Sequence, residues 1–226
     1  MNFLELVQKL HTKCGVTGAE PTGLTEQPQE INRLIGWINE SWMYIQTARE
    51  DWQWMRSTFS FETVSGQAVY TPEEAGITDF GNWQRGNFRN YVTATGTNSE
   101  IRMDDEYDYQ MWRDVYQFGA NRNTRTRPIE ATITPEKYLG LGPVPIDGYT
   151  VTGSYFKVPT EMVNATDEPS MPPRFHMAIV YKAMTLYGAY ESAPEVYDEG
   201  KDEFRRMGTM LGINQRPMIQ LAGSLA

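Results

Sequence analysis

Between Pro28 and about Trp54, apolar residues recur as Ile31, Leu34/Ile35, Ile38, Trp42, Ile45 and Trp52. This is the spacing of one helix face, sustained over several turns. Pro28 suits the first turn, where its missing N–H does no harm. Glu26 and Glu30 favour the positive end of the helix. A second, aromatic edge runs through Trp37, Tyr44 and Trp54. Such a helix cannot bury its stripe alone, and large aromatics beyond the stripe point to contact on two sides, as in a bundle or at a subunit interface.

The rest of the chain supplies partners. A short helix opens it: Asn2 is placed to cap, Glu5 follows three residues on, Phe3, Val7 and Leu10 share a face, and Gly15 ends it. Gly15 to Gln27 reads as a loop. Near the C-terminus, about Pro173 to Tyr190 is apolar on most sides (Phe175, Ile179, Val180, Ala183, Met184, Leu186, Tyr187), the mark of a buried helix. Pro194 opens a second helix with Val196/Tyr197, Phe204, Met207 and Leu211 inward, and Gly212 is expected to stop it.

Between these ends the period changes to two. Thr58 to Val64 alternates, turns at Ser65-Gly66 and continues through Ala68-Val69-Tyr70, which predicts a hairpin. Further strands are expected at Phe88–Thr93, Glu100–Met103, Ile129–Thr134, Tyr138–Leu141 and Tyr149–Lys157, the last after an Asp147-Gly148 turn. One helix interrupts them, capped by Asp104 or Asp105, with Tyr107, Met111, Trp112 and Val115 as its stripe before Gly119. A polar, Pro-containing linker runs from Lys157 to Pro172-Pro173.

The expected class is therefore α+β. The N- and C-terminal segments, residues 1–55 and 159–212, form a helical bundle, with residues 56–158 inserted as a β-rich, sandwich-like domain. Residues 213–226 show no helical period and read as a C-terminal arm, extended before Pro217 and carrying Met218, Ile219, Leu221 and Ala222.

Composition narrows function by exclusion. In 226 residues, 40% hydrophobic and 22% charged residues are enough for a folded core. The net charge of −9 argues against a protein whose main task is gripping nucleic-acid phosphate. The N-terminus lacks the basic and apolar regions of a signal peptide, and no stretch approaches a membrane span, so a soluble protein made in a cytoplasm is expected. Cys14 is the single cysteine; at a helix C-terminus it makes a poor nucleophile. His11 and His176 lack a Ser or Cys motif beside them. Gly140-Leu141-Gly142-Pro143 lacks the third glycine and the Lys of a phosphate loop and reads as a turn. Asp104-Asp105-Glu106 and Asp108 lack calcium-loop spacing. No catalytic, cofactor or metal residue is therefore assigned. The candidate interface residues are Arg122, Arg125 and Arg127, a basic cluster suited to an acidic partner or DNA phosphate, and Arg216, Met218, Ile219 and Leu221 in the arm.

Several stretches resemble the adaptor proteins of tailed phages. They are Glu30-Ile31-Asn32-Arg33-Leu34, Trp37-Ile38-Asn39-Glu40-Ser41-Trp42, Ile45-Gln46 and Asp51-Trp52-Gln53-Trp54-Met55-Arg56, then Phe59-Ser60-Phe61, Leu141-Gly142-Pro143-Val144-Pro145, and Met171 through Val180. The architecture is also similar to the tail tubular protein A adaptors of short-tailed phages. The resemblance implies a non-enzymatic head-to-tail adaptor in the virion neck: a homo-oligomeric ring of twelve subunits, assembled in the host cytoplasm. Its partners would be the portal protein and a tail nozzle or tail-tube protein, with DNA passing through the channel unread. The alternative from the residues themselves is a carbohydrate- or host-surface-binding module of the tail, with Trp83, Tyr91 and Trp112 stacking on sugar rings.

Overall fold

The computed structural model describes residues 1–25, 27–146 and 148–215. Among them are five helices, α1 (Phe3–Lys13), α2 (Gln29–Thr47), α3 (Tyr109–Tyr116), α4 (Met177–Tyr190) and α5 (Pro194–Asn214). The strands are β1 (Arg56–Glu62), β2 (Val69–Tyr70), β3 (Phe80–Trp83), β4 (Arg89–Val92), β5 (Ile101–Arg102), β6 (Glu130–Ile133), β7 (Leu139–Gly142) and β8 (Tyr149–Lys157). The class is α+β, with helices at both ends of the sequence as expected. Two compact units form: Met1–Trp54 together with the chain from Pro159 onward, and Met55–Val158.

In the helical unit, α4 packs against α1, α2 and α5. Its buried Ala178, Ile179, Val180, Ala183 and Met184 explain why its sequence is apolar nearly all round. The α2 stripe of Ile31, Leu34, Ile38, Trp42 and Ile45 is buried as its period predicts. On α1 the capping box forms: Asn2 Oδ1 accepts from the Glu5 N–H at 2.9 Å, and Glu5 Oε2 accepts from the Asn2 N–H at 3.0 Å. Gly15, at φ +62°, turns the chain out of this helix. Between α4 and α5 the backbones come close because Gly188 and Gly200 face the other helix. A Cβ at 188 would stand 2.7 Å from the Tyr197 nitrogen, and one at 200 would stand 2.8 Å from the Tyr181 carbonyl oxygen.

Several boundaries differ from those expected. Helix α2 ends at Thr47, not near Trp54, and Pro28 occupies its N-cap rather than its first turn. Trp52 keeps the stripe's spacing but lies beyond the end of the helix. It is buried, donates to the Ile45 carbonyl at 2.8 Å and stacks on Trp54 at 4.2 Å. Trp37 lies against Tyr187 and Tyr190, so this part of the aromatic edge serves the bundle itself. Gly212 does not stop α5. With no left-handed turn there, glycine only weakens a helix, and α5 continues to Asn214 before Gln215 caps it. Ile213 and Asn214 are thus helix, not arm; residues 216–226 lie outside the described residues.

The expected linker is a pinned strap. Asn39 and Gln46, two turns apart on α2, each grip one residue of it through both amide atoms. Asn39 donates to the Met162 carbonyl at 2.9 Å and accepts from its N–H at 3.0 Å. Gln46 does the same for Thr160 at 2.9 and 3.1 Å. Phe3 and Leu4 of α1 donate to the Asp167 and Ala165 carbonyls. Met162 and Met171, within this segment, are buried. Replacing Gln46, itself buried, by Ala should cost about 1–3 kcal/mol, because the Thr160 N–H and carbonyl lose their partner. Urea unfolding followed by helical circular dichroism measures this, and an unchanged midpoint would show that water serves the strap equally well.

The second unit is two sheets face to face. One has the order β1-β8-β4-β5, with β3 beside β4 on the same edge of β8; the other is β2-β7-β6. Phe59, Phe61, Trp83, Phe88, Val151 and Tyr155 meet Tyr70, Ala131, Leu139 and Leu141 in one core. Gly153 sits in mid-strand because a Cβ there would stand 2.8 Å from the Phe59 ring. The expected hairpin does not form. Strand β1 pairs with β8, Phe59 opposite Gly153, while β2 pairs with β7. Ser65-Gly66 is a turn, but it carries the chain from one sheet to the other, with the Gly66 N–H bonded to the Pro145 carbonyl. Strand β3, unforeseen in the sequence, is short and bulged, and Gly81 lets it approach Lys157 closely.

Candidate functional site and interaction surfaces

The single cysteine and both histidines lie in the helical unit, and the acidic stretch lies in the β unit. Burial, with Glu199 nearby, pushes the Cys14 thiol up to about 12, so it stays protonated at neutral pH. His176 is buried; its Nε2 lies 3.0 Å from the Met171 carbonyl and its Nδ1 2.9 Å from the Met1 nitrogen. Burial is also the main cause that holds its pKa below the ordinary histidine range. His11 is buried on α1.

The acidic stretch is used for turns and capping. Asp108, not Asp104 or Asp105, caps α3 by accepting from the Met111 N–H at 2.8 Å, so the helix starts later than its sequence suggests. Asp104 accepts from the Glu106 N–H, and Asp105 from the Gly86 N–H. Burial first, then Asp104, Glu106 and Asp105, raises the Glu130 pKa. Among the described residues no group of three or more His, Cys, Asp or Glu is placed to hold a metal ion.

The Gly140-Leu141-Gly142 segment is not a turn. It is β7, buried on both faces. Leu139 and Leu141 enter the sandwich core, while Gly140 and Gly142 lie under the Trp112 and Tyr116 rings of α3. Glycine is required there because a Cβ would occupy the space of those rings. Trp112 and Trp83 are therefore core residues, and the Trp83 indole donates to the Lys137 carbonyl at 2.7 Å. Of the three residues considered for sugar stacking, Tyr91 alone keeps partial exposure. Met111, assigned to the α3 stripe, is exposed at 51%, and Tyr116 takes the inward position.

The three arginines that form one cluster in sequence serve different ends. Arg127 is half-buried and fastens the sandwich edge: Nε donates to Asn90 Oδ1 at 2.8 Å, and Nη2 to the Asn90 and Ser99 carbonyls. Asn90, wholly buried, passes the link on to the Pro128 carbonyl at 2.7 Å. Arg125 is exposed and lies beside Gly66, where a Cβ would stand 3.2 Å from its guanidinium. Arg122 is exposed on the short 3-10 turn Gly119–Asn123. Arg216, Met218, Ile219 and Leu221 lie outside the described residues.

Two surfaces are not apparent in the sequence. On the outer face of the five-stranded sheet, Arg56, Thr58, Ser60, Asn87, Arg89, Thr152 and Ser154, with Phe59 and Gly153, line a groove of about 550 Å³. Its signal is the polar half of the β1 and β8 alternation, but the strands have to be brought together before it forms a groove. In the helical unit, an apolar groove of about 420 Å³ runs along the C-terminal half of α5. No described helix is long and apolar enough to cross a membrane.

The helical unit and the β unit thus each carry one open groove on their surface. The SU10 adaptor protein family model matches residues 1–221, and the chain belongs to this family of phage adaptors. It is a structural adaptor of a phage virion, as the resemblance implied. A search of curated proteins gave no match.

Proposed function

We propose that this adaptor is one subunit of a homo-oligomeric ring, twelve-fold as in the adaptors it resembles, seated on the portal and joining the capsid vertex to the tail. The family match over nearly the whole chain carries this reading. Its place would be the neck of the virion, reached after assembly in the host cytoplasm. Ring closure needs one face of each subunit to meet a different face of the next. Exposed Arg122 and Arg125 and the Arg56–Arg89 groove on the β unit offer cationic, hydrogen-bonding faces. The first half of α5 offers exposed Glu195 and Asp198. The net charge of −9 suits a channel that lets DNA pass without sticking.

Native mass spectrometry of the purified subunit mixed with the portal ring of the same phage tests this. The expected species is a portal ring carrying a full complement of adaptor subunits, matched by a ring of density below the portal in images of the virion vertex. Adaptor that stays free beside intact portal, together with its absence from the vertex, would overturn the reading.

A further inference from the structure

The apolar groove on the helical unit points to an occupant within this chain. Phe175, just ahead of α4, lines it with Met207, Met210 and Ile213 of α5; Arg174, Arg206 and Asn214 complete it. Both arginines have partners: Arg174 lies over the Phe175 ring at 4.7 Å, and Arg206 pairs with Glu203 at 2.6 Å. The apolar lining is left open, with Met210 exposed at 51% and Ile213 at 60%. Large apolar side chains gathered in one concave strip mark a contact rather than the scatter normal on a surface.

The end of α5 says which contact. Ile213 lines the groove two residues before Gln215, where the backbone leaves helical values at φ −94° and ψ 2°. Beyond Gln215 the chain continues as Arg216-Pro217-Met218-Ile219-Gln220-Leu221-Ala222, with no charged side chain after Arg216. Along α5 the lining from Arg206 to Ile213 extends about 10 Å at the helical rise of ~1.5 Å per residue. An extended run from Met218 to Leu221 covers about the same distance at ~3.3 Å per residue. Pro217 biases Arg216 towards extended backbone, which suits a segment laid back along the helix. A segment tethered at the rim also competes at millimolar effective concentration, well above that of a second subunit in dilute solution.

We propose that this groove is the seat of residues 217–222 of the same chain in the free subunit. The inference concerns a single subunit and stands or falls separately from the ring and its portal.

Methionine oxidation by hydrogen peroxide, read by peptide mass spectrometry, tests it. The full chain is compared with a variant truncated after Gln215, each at several protein concentrations. Truncation should speed oxidation of Met207 and Met210 roughly tenfold, since a seat filled nine-tenths of the time leaves about one-tenth open. Met184, wholly buried in α4, should be unaffected. A synthetic peptide of residues 216–226 should slow the truncated variant again. A full-length Ile219→Asp, Leu221→Asp variant gives the same comparison without shortening the chain and should oxidise like the truncated one. Equal rates in all forms would overturn the proposal. So would protection in the full chain that vanishes on dilution, because that would place a second copy in the groove.

Discussion

Trp112→Ala should destabilise the β unit by about 3–5 kcal/mol, the range for deleting a large buried aromatic side chain. The indole is 1% exposed and lies over the glycines of β7. Its loss opens a cavity above Gly140 and Gly142 that backbone alone cannot fill. The damage should begin locally. Hydrogen exchange at Leu139–Gly142 and Glu130–Ile133 should lose protection by several powers of ten, as about 1.4 kcal/mol corresponds to each tenfold change. Exchange changed by less than tenfold would mean that the indole is not a core group, and sugar stacking through Trp112 would have to be reconsidered.

Ile38→Ala should cost about 2–5 kcal/mol in the helical unit, and Ile38→Val only about 0.5–1.5. Ile38 is wholly buried at the middle of the α2 stripe, between Leu34 and Trp42. The graded pair separates a cavity effect from a change in helix propensity, because Ala is the better helix former and would stabilise an exposed site. Urea denaturation followed at the helical circular dichroism band gives both values. A midpoint for Ile38→Ala at or above that of the parent chain would place the stripe at the surface, against the packing of α2 on α4.

The interaction surfaces were less legible than the core. Arg122, Arg125 and Arg127 are neighbours in sequence and look alike there. Only the fold shows that Arg127 is consumed by the Asn90 side chain and the Asn90 and Ser99 carbonyls while Arg122 and Arg125 remain exposed. The strap residues were missed for a related reason. Asn39 and Gln46 look like ordinary polar positions on α2, and nothing nearby in sequence marks Thr160 and Met162 as their partners.

What the sequence determined by itself was whatever depends on near neighbours along the chain. The helix faces of α1, α2 and α4, the Asn2–Glu5 capping box and the alternation of β8 rest on contacts within one or two turns or on a period of two. Those signals sufficed for the α+β class. Tertiary structure decided which elements meet. The Ser65-Gly66 turn is written locally, but the choice of β8 over β2 as the partner of β1 is not, because the hydrophobic face of β1 fits either strand until the opposite sheet is in place. Gly140 and Gly142 make the same point. In one dimension two glycines near prolines mean a turn; in three they are the floor on which the Trp112 and Tyr116 rings rest, because only a residue without a Cβ leaves room for them.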